Sequence, residues 1–430
     1  TTGRLEEAKG LIDKIRVRAG IPTINEAWKK ANHPEKANTA EGLREIVRRE
    51  RQIEFYLENQ RFWDLRRWKD AGILGEKVWG MNIEGDLSLI HISERTRLRR
   101  FVILIDDAGY NDFGFMGSKE MQTPNIDALT SEGVVFTDAH VAATVSSPSR
   151  ACLITGRYGH RFGYECNLSD RTNGLPLEEE TIAEVFKTNG YRTAAIGKWH
   201  LGSRKAGGRD YFYNEKKSDR PGDERNLLFN DRQVKFEKYL TDAFGEKAVE
   251  FINESSQPFL MYLAYNAVHT PMQATDEDMA KFEGHPRQKL AAMTYALDRG
   301  VGTVIRGLKD SGKFDNTLIF FLSDNGGATT NQSSNYPLKG FKGNKFEGGH
   351  RVPYFVVWKN GIPPGKPYDG LVSSLDIFAT AIDAAGISKT RNRLDGVSLL
   401  PYLKGKKGEP HKVLYWRKMD TRAIRSGDYK

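Results

Sequence analysis

Asp106-Asp107 stands directly after the apolar run Phe101–Ile105. Adjacent carboxylates repel, so a strand end holding both needs a cation or strong hydrogen-bond donors. A hard divalent ion with oxygen ligands meets that need; a turn with two solvated aspartates is the plain alternative. Ser323-Asp324-Asn325-Gly326-Gly327 follows a second apolar run, Thr317–Leu322, in the same way. It again offers side-chain oxygens at a strand end, although a simple glycine turn uses the same residues. The segment Ser146-Ser147-Pro148-Ser149-Arg150-Ala151-Cys152-Leu153-Ile154-Thr155-Gly156 reads as the start of a helix, with serines for capping, Pro148 in the first turn and Gly156 as terminator. An oxygen at Ser146 would stand where backbone N–H groups and the helix dipole favour developing negative charge, with Arg150 one turn further on. A plainly capped helix fits the same letters.

These segments need a scaffold that brings them together, and the chain from Phe101 onward has the pattern of one. Apolar runs at Phe101–Ile105, Thr193–Ile196, Pro258–Ala264, Thr317–Leu322 and Tyr354–Trp358 alternate with helical stretches near Pro124–Ser131, Glu178–Asn189, Tyr239–Glu254, Lys289–Lys309 and Leu375–Ala385. Gly190 is placed to end the helix that reaches Asn189. Continuous apolar strands alternating with helices predict an α/β domain with a large, mostly parallel central sheet flanked by helices. In such sheets the reactive groups gather at the carboxyl ends of the strands, which is where both acidic segments lie.

The remaining arithmetic narrows the class. The chain has 430 residues, 39% hydrophobic and 28% charged, a globular mix rather than a disordered or fibrous one. No apolar run approaches the length of a membrane span. Cys152 and Cys166 are the only cysteines, which excludes a disulfide framework and a zinc-finger site. The net charge of +9 is spread thinly, and Arg95, Arg97, Arg99 and Arg100 form a short cluster, so no nucleic-acid partner is expected. The chain starts Thr1-Thr2-Gly3, without Met, so the true start is expected to lie upstream and no compartment is read from that end.

Residues 1–85 have a different character. Leu43, Ile46, Ile53, Phe55, Tyr56 and Leu57 recur at helical spacing among Arg and Glu, which predicts an amphipathic helical fragment. The run Glu50-Arg51-Gln52-Ile53-Glu54-Phe55, followed by Asn59-Gln60-Arg61-Phe62-Trp63-Asp64-Leu65-Arg66-Arg67, resembles the C-terminal region of the SusD/RagB family of glycan-binding outer-membrane lipoproteins. Residues 86–100 contain Leu87-Ser88-Leu89-Ile90-His91-Ile92-Ser93-Glu94 and then Thr96-Arg97-Leu98. This resembles the translation of a sequencing-library transposon adapter, except that Arg95 stands where that translation has proline. We expect an artefactual junction between two genes there; a charged linker is the other reading.

Ser146, Pro148, Arg150, Thr155 and Gly156 occupy the positions of the signature of the sulfatase family, within the alkaline-phosphatase superfamily. Other segments resemble that family in order: Ile105-Asp106-Asp107-Ala108-Gly109-Tyr110, Thr123–Leu129, Gly197-Lys198-Trp199-His200-Leu201-Gly202, Ala267-Val268-His269-Thr270-Pro271, and Gly340-Phe341-Lys342 ahead of Glu347-Gly348-Gly349-His350-Arg351-Val352-Pro353. Lys345 is a near neighbour, and the spacing back from Glu347 favours Lys342. The resemblance implies a sulfuric ester hydrolase of the serine type. It implies that a formylglycine-generating maturation enzyme oxidises Ser146 and that the hydrated aldehyde attacks the sulfur of a sulfate ester. Cys152 has the wrong spacing to Pro148 to be that precursor. One divalent cation, Ca²⁺, is implied at Asp106, Asp107, Asp324, Asn325 and the modified Ser146. Arg150 is implied as the group that holds the nucleophile, and Lys198, His269 and Lys342 as charge stabilisers. His200 is the implied base for elimination, and His269 or Lys342 protonates the leaving oxygen.

The domains expected are thus 1–85, a SusD/RagB-like fragment; 86–100, the junction; 101–400, the catalytic domain; and 401–430, the start of a C-terminal subdomain, with a strand at Val413–Trp416. A chain ending there is expected to leave apolar surface on the main sheet exposed and to be poorly soluble or inactive. Gly202–Arg232 is the expected specificity insertion. The implied substrate is a sulfated carbohydrate or other sulfate ester, and the implied location is the periplasm or cell surface of a Gram-negative bacterium. Two alternatives stand beside this reading. One is a phosphomonoesterase or phosphonate hydrolase of the same superfamily, which would want a second metal and histidine ligands such as His140 or His160. The other is a glycan-binding protein acting through residues 1–85.

Overall fold

The computed structural model describes residues 98–167, 174–202 and 238–430, the strands Trp79–Met81, Leu87–Leu89, Leu228–Phe229 and Arg232–Gln233, and single positions elsewhere. Most of the expected helical fragment, the junction other than Leu87–Leu89 and Leu98–Arg100, and nearly all of Gly202–Arg232 lie outside the described residues. The chain divides into two units, Thr1–His91 and Ile92–Lys430. In the first, Trp79–Met81 pairs antiparallel with Leu87–Leu89, and Ile24 and Ile46 are buried.

The second unit is built on six strands. In chain order these are β1 (Arg99–Ile105), β2 (Gly133–Val135), β4 (Arg192–Gly197), β5 (Phe259–Ala264), β6 (Thr317–Ser323) and β7 (Tyr354–Val357); β3 (Ala139–His140) stands outside this sheet. Their spatial order is β2-β7-β6-β1-β5-β4. The four strands β6, β1, β5 and β4 run parallel, and β7 and β2 add antiparallel at one edge. β1, β5 and β6 are apolar along nearly their whole length and buried, as strands covered on both faces must be. The sheet therefore has a core on each side. One contains Val102, Leu104, Phe320 and Tyr354, the other Phe101, Ile103, Ile319 and Phe321.

Helices cover both faces: α1 (Pro124–Thr130), α2 (Ser146–Thr155), α3 (Ile182–Thr188), α4 (Leu240–Glu254), α5 (Asp276–Ala280), α6 (Gln288–Asp310), α7 (Asp376–Ala385) and α8 (Leu400–Leu403). α3 begins with a capping box, in which Thr181 accepts from Glu184 N while the Glu184 side chain accepts from Thr181 N. Beyond it Gly190 takes a φ of 82°. β1 starts at Arg99, two residues before the expected boundary. Arg100, read as part of a basic cluster, is instead fully buried, with its guanidinium donating to Tyr191 Oη and lying 5.2 Å from the Phe186 and Tyr191 ring centres.

A C-terminal hairpin, β9 (Val413–Lys418) with β10 (Thr421–Ser426), follows β8 (Val372–Ser373) and α8. Trp416 donates to Val141 O at 2.7 Å and stacks on His350 at 3.8 Å. Arg425 forks onto Asp138. Among the described residues the exposed large apolar side chains include Val413, Met419 and Ile424 on the hairpin and none on the central sheet, contrary to the expectation, because helices cover the sheet on both sides. No described helix is long and apolar enough to cross a membrane.

The link into the hairpin is pinned by His411, whose Nε2 lies 2.8 Å from buried Asp376 at the start of α7. Burial works to lower the His411 pKa, but Asp376 outweighs it and the pKa is raised. The folded value exceeds the unfolded one, so the stability from this pair is full below about pH 6.5 and is lost as pH rises through the raised folded value. His411→Gln is expected to lower Tm by about 2–4 °C at pH 5.5, for roughly 1 kcal/mol, and by less at pH 9. Equal losses at both pH values in a thermal melt would count against the ion pair.

Candidate active site

The parallel register of β1 and β6 sets Ile105 beside Ser323, so the residues that follow emerge side by side. Asp324 N donates to Ile105 O at 2.8 Å, and Asp107 N to Asp324 Oδ1 at 3.2 Å. Asn325 Nδ2 donates to Asp107 Oδ1 at 2.8 Å. Asp106, Asp107, Asp324 and Asn325 are all buried. The two acidic segments read separately in the sequence are thus one cluster.

Ser146 reaches this cluster from α2. Its Oγ lies 3.1 Å from Asn325 Oδ1 and 3.5 Å from Asp106 Oδ1. The expected serine cap is absent: Val145 is the N-cap, without a side-chain bond, and Ser146 is the first helical residue. The hydroxyls have other uses. Ser146 faces the acids, and Ser147 Oγ bonds Tyr164 Oη and the carbonyl of His200. Gly156 does end the helix, at a φ of 64°. Cys152 is buried within α2, where its Sγ accepts from Gly159 N.

Basic side chains converge on the acids from four segments. Arg150, one turn along α2, donates from Nε to Asp324 Oδ2 at 2.9 Å and brings NH2 to 2.8 Å from the same oxygen, and its NH1 donates to Lys198 O and Tyr262 Oη. Lys198 Nζ lies 2.5 Å from Asp106 Oδ2. It follows Gly197, whose φ of 97° and contact with Ala264 O leave no room for a Cβ. Lys342 Nζ lies 2.6 Å from Asp107 Oδ1 and 3.5 Å from His269 Nε2. His269 Nδ1 is 2.5 Å from Thr270 O and so carries the proton, leaving Nε2 to face Asp107 at 3.4 Å. His200 is buried with a φ of 60° and is tied to α2 through its carbonyl. Ser146, Arg150, Lys198, His269 and Lys342 therefore meet the acids in one place, and the His200 carbonyl bonds Ser147 beside it.

Lys342 arrives there through a close approach of two glycine turns. Gly326 N donates to Gly349 O at 3.1 Å, and a Cβ on Gly326 would stand 1.8 Å from Gly348 O. A side chain at either position would push the Lys342 segment off the acids.

The electrostatics fit an added cation. Burial works to raise the Asp106 pKa, yet Lys198, His269, Arg150 and Lys342 hold it well below the usual carboxylate range. Burial raises Asp324, and its neighbours Asp106 and Asp107 add to that against Arg150. Burial lowers His269, leaving it neutral, whereas the three aspartates raise Lys342 against burial and keep it protonated. Three carboxylates facing three fixed cations leave little net charge to attract an anion. The donor set is all oxygen at Asp106, Asp107, Asp324 and Asn325, which suits a hard divalent ion, and such an ion would make the site positive. Asp106, Asp107 and His269 offer ligand atoms within 4.8 Å of one another.

The histidines weighed for a second metal are engaged elsewhere. His140 is buried between Asp138 and His350, at 2.9 Å from each, and His160 stacks on Tyr158. Residues the sequence did not single out hold the site in place. Asp107 adopts a left-handed φ of 63°, and its carbonyl accepts from Asn331 Nδ2 at 3.1 Å and Ser333 Oγ at 3.0 Å. The same Asn331 amide donates to Val268 O at 2.8 Å, beside His269. Asp112 accepts from Gly109 N, Ser334 N and Arg287 and so ties the two loops together. Asn331→Ala strips a donor from both carbonyls and is expected to cost about 2 kcal/mol of stability. It should also shrink the rise in Tm on adding Ca²⁺. An undiminished Ca²⁺-dependent shift in calorimetry would contradict a positioning role for Asn331.

With that geometry in hand, comparison with known proteins gives a consistent answer. The Sulfatase family model matches residues 100–387. The SusD family model matches residues 1–132, which runs past the expected limit of 85 and overlaps the start of the sulfatase match. An Escherichia coli K12 protein named "Uncharacterized sulfatase YdeN" is 37% identical over 336 residues, covering 69% of this chain and 60% of that protein. The N-acetylgalactosamine-6-sulfatase of Canis lupus familiaris is 31% identical, covering 76% of this chain and 70% of the dog protein. The crystal structure of Ps i-CgsB in complex with k-i-k-neocarrahexaose is 39% identical with a TM-score of 0.72, covering 77% of this chain and 82% of that one. The chain thus spans about 60% of the length of the bacterial relative. Its sheet, its signature helix and these matches agree: the chain belongs to the sulfatase family.

Proposed function

We propose that this chain hydrolyses sulfate esters of a sulfated glycan, with Ser146 converted to formylglycine by a maturation enzyme and one Ca²⁺ at the adjoining acids. The observation that carries the reading is the placement of Ser146 Oγ 3.1 Å from Asn325 and 3.5 Å from Asp106, at the amino end of α2. Asp106, Asp107, Asp324 and Asn325 would hold the ion together with position 146. When bound, the ion supplies Lewis-acid polarisation and the modified side chain supplies a nucleophile able to release sulfate afterwards.

The chain's own residues do the rest. Arg150 holds Asp324 through a charge-assisted hydrogen bond from Nε and so fixes α2 against the end of β6. Lys198 and Lys342 flank the acids from opposite segments, placed to balance charge that develops on the sulfuryl oxygens. The Lys342–His269 pair faces the same spot. Lys342 is the protonated member and His269 the neutral one, so Lys342 has the proton to give to the leaving oxygen and His269 can receive its hydrogen bond. His200, beside the start of α2, is the base for the elimination step.

A sulfated glycan as substrate draws on the relatives that act on or bind such sugars, namely N-acetylgalactosamine-6-sulfatase and the carrageenan-oligosaccharide complex. If both segments come from one locus, the SusD-like first segment supports the same choice and a periplasmic or cell-surface location. The phosphatase alternative is less well supported, because His140 and His160 are bonded and stacked away from the acids.

Two measurements test the proposal. Peptide mass spectrometry after expression in a maturation-competent host should find Ser146 converted to formylglycine; an unmodified Ser146 in protein with full sulfatase turnover would overturn the nucleophile. Lys342→Ala should lower kcat for an aryl sulfate by about 10²–10³-fold, the range for removing one charge-stabilising group. Unchanged turnover would remove Lys342 from the scheme.

A further inference from the structure

The loop that delivers Lys342 has an unusual charge pattern. Between Asn325 and Glu347 there is no acidic residue, while Lys339, Lys342 and Lys345 recur at a spacing of three. Lys342 turns inward to Asp107. Lys339 lies over the Phe346 ring at 4.4 Å. Lys345 is exposed and makes no ion pair among the described residues.

A second cation reaches the same rim from far along the chain. Lys418, the last residue of β9, has its Nζ 3.5 Å from the carbonyl of Gly343, a weak contact at the outer limit of a hydrogen bond. Gly343 follows Lys342, and its N–H donates to Thr144 O at 2.7 Å, two residues before Ser146. A Cβ on Gly343 would meet Lys418 Nζ at 3.0 Å and Val145 Cγ1 at 3.8 Å. Lys418 is thus held beside the strand of chain that enters α2, half-buried and without an ion pair among the described residues. Other carboxylates that contact the hairpin are paired: Glu347 with Lys430 and Arg425, Glu165 with Arg417, and Asp138 with Arg425.

Phe341, next to Lys342, is 44% exposed and stacks on no described ring. An aromatic face kept in water costs free energy unless something flat and partly apolar covers it. The CH face of a pyranose is such a surface. An apolar platform with a few placed charges is the composition of a small-molecule subsite.

We propose that Phe341, Lys345 and Lys418 form a second subsite on the rim beside Lys342, which takes a sugar next to the one being desulfated and pairs with an anionic group on it, a sulfate or a carboxylate. This rests on the sulfatase reading above and narrows it: the substrate is an oligomer carrying more than one negative charge, and the C-terminal hairpin takes part in choosing it.

The test compares kcat/KM of the matured full chain for a small aryl sulfate, a sulfated galactan oligosaccharide lacking uronate, and a singly sulfated uronate-containing oligosaccharide. Parent protein is set against Lys418→Ala, Lys418→Glu, Lys345→Ala and Phe341→Ala. The ratio of oligosaccharide to aryl sulfate kcat/KM is expected to fall about tenfold for Lys418→Ala, further for Lys418→Glu, and through KM rather than kcat. The parent's KM for the oligosaccharide should also rise more steeply with ionic strength than that of Lys418→Ala. A fall on the galactan identifies the partner group as sulfate, and a fall confined to the uronate substrate identifies it as carboxylate. Ratios at the parental value for all four variants, in protein that turns over both substrate types, overturn the subsite alone. A matured parent that turns over none of the substrates overturns the sulfatase reading and the subsite with it.

Discussion

Three buried carboxylates at the ends of two neighbouring parallel strands govern the layout of the second unit. Asp106, Asp107 and Asp324 lie out of water, with Asp107 N donating to Asp324 Oδ1 and Asn325 donating to Asp107. Such a group stays ionised only if positive charge is brought to it. Arg150 brings it from a helix, Lys198 from the end of β4 and Lys342 from the long loop between β6 and β7, with neutral His269 beside them from the turn after β5. Each of these segments is drawn to the same end of the sheet. The same requirement positions Ser146, because the helix that supplies Arg150 also presents Ser146 to Asn325.

Holding those segments at bonding distance depends on small residues and neutral amides rather than on further charge. Gly326 and Gly348 allow two turns to touch where a Cβ would not fit. Asn331 and Ser333 satisfy the carbonyl of Asp107 while it sits in a left-handed conformation. The loop from Gly326 to Phe346 can then point one lysine inward and leave others at the rim. The hairpin of β9 and β10 closes one side of that rim, anchored by Trp416 on His350 and by Arg425 on Asp138.

Much of this is legible in the sequence. The strands were read from continuous apolar runs, and the acids from their position just past two of those runs. Their union followed only from the register of β1 on β6, which no local pattern encodes. Gly133–Val135, Ala139–His140 and Val372–Ser373 escaped notice because two or three residues are too short to show a strand's alternation. The serine cap was misread because capping and catalysis want the same hydroxyls, and here Asn325, Tyr164 and the His200 carbonyl hold them. Asn331 sits in the polar run Thr329-Thr330-Asn331-Gln332-Ser333-Ser334, where nothing local separates a buried clamp from a solvated turn. His140, which the phosphatase alternative would want as a ligand, is instead held by Asp138 and His350.

The central claim is that one hard cation belongs between these acids and the side chain at position 146. A crystal structure of the matured protein grown with Ca²⁺, with the ion located by its anomalous scattering, tests it most directly. The account predicts a single ion with Asp106, Asp107, Asp324, Asn325 and residue 146 as ligands, at oxygen distances of about 2.3–2.6 Å. Strong anomalous density elsewhere, with the three aspartates still bound only to Arg150, Lys198 and Lys342, would contradict it.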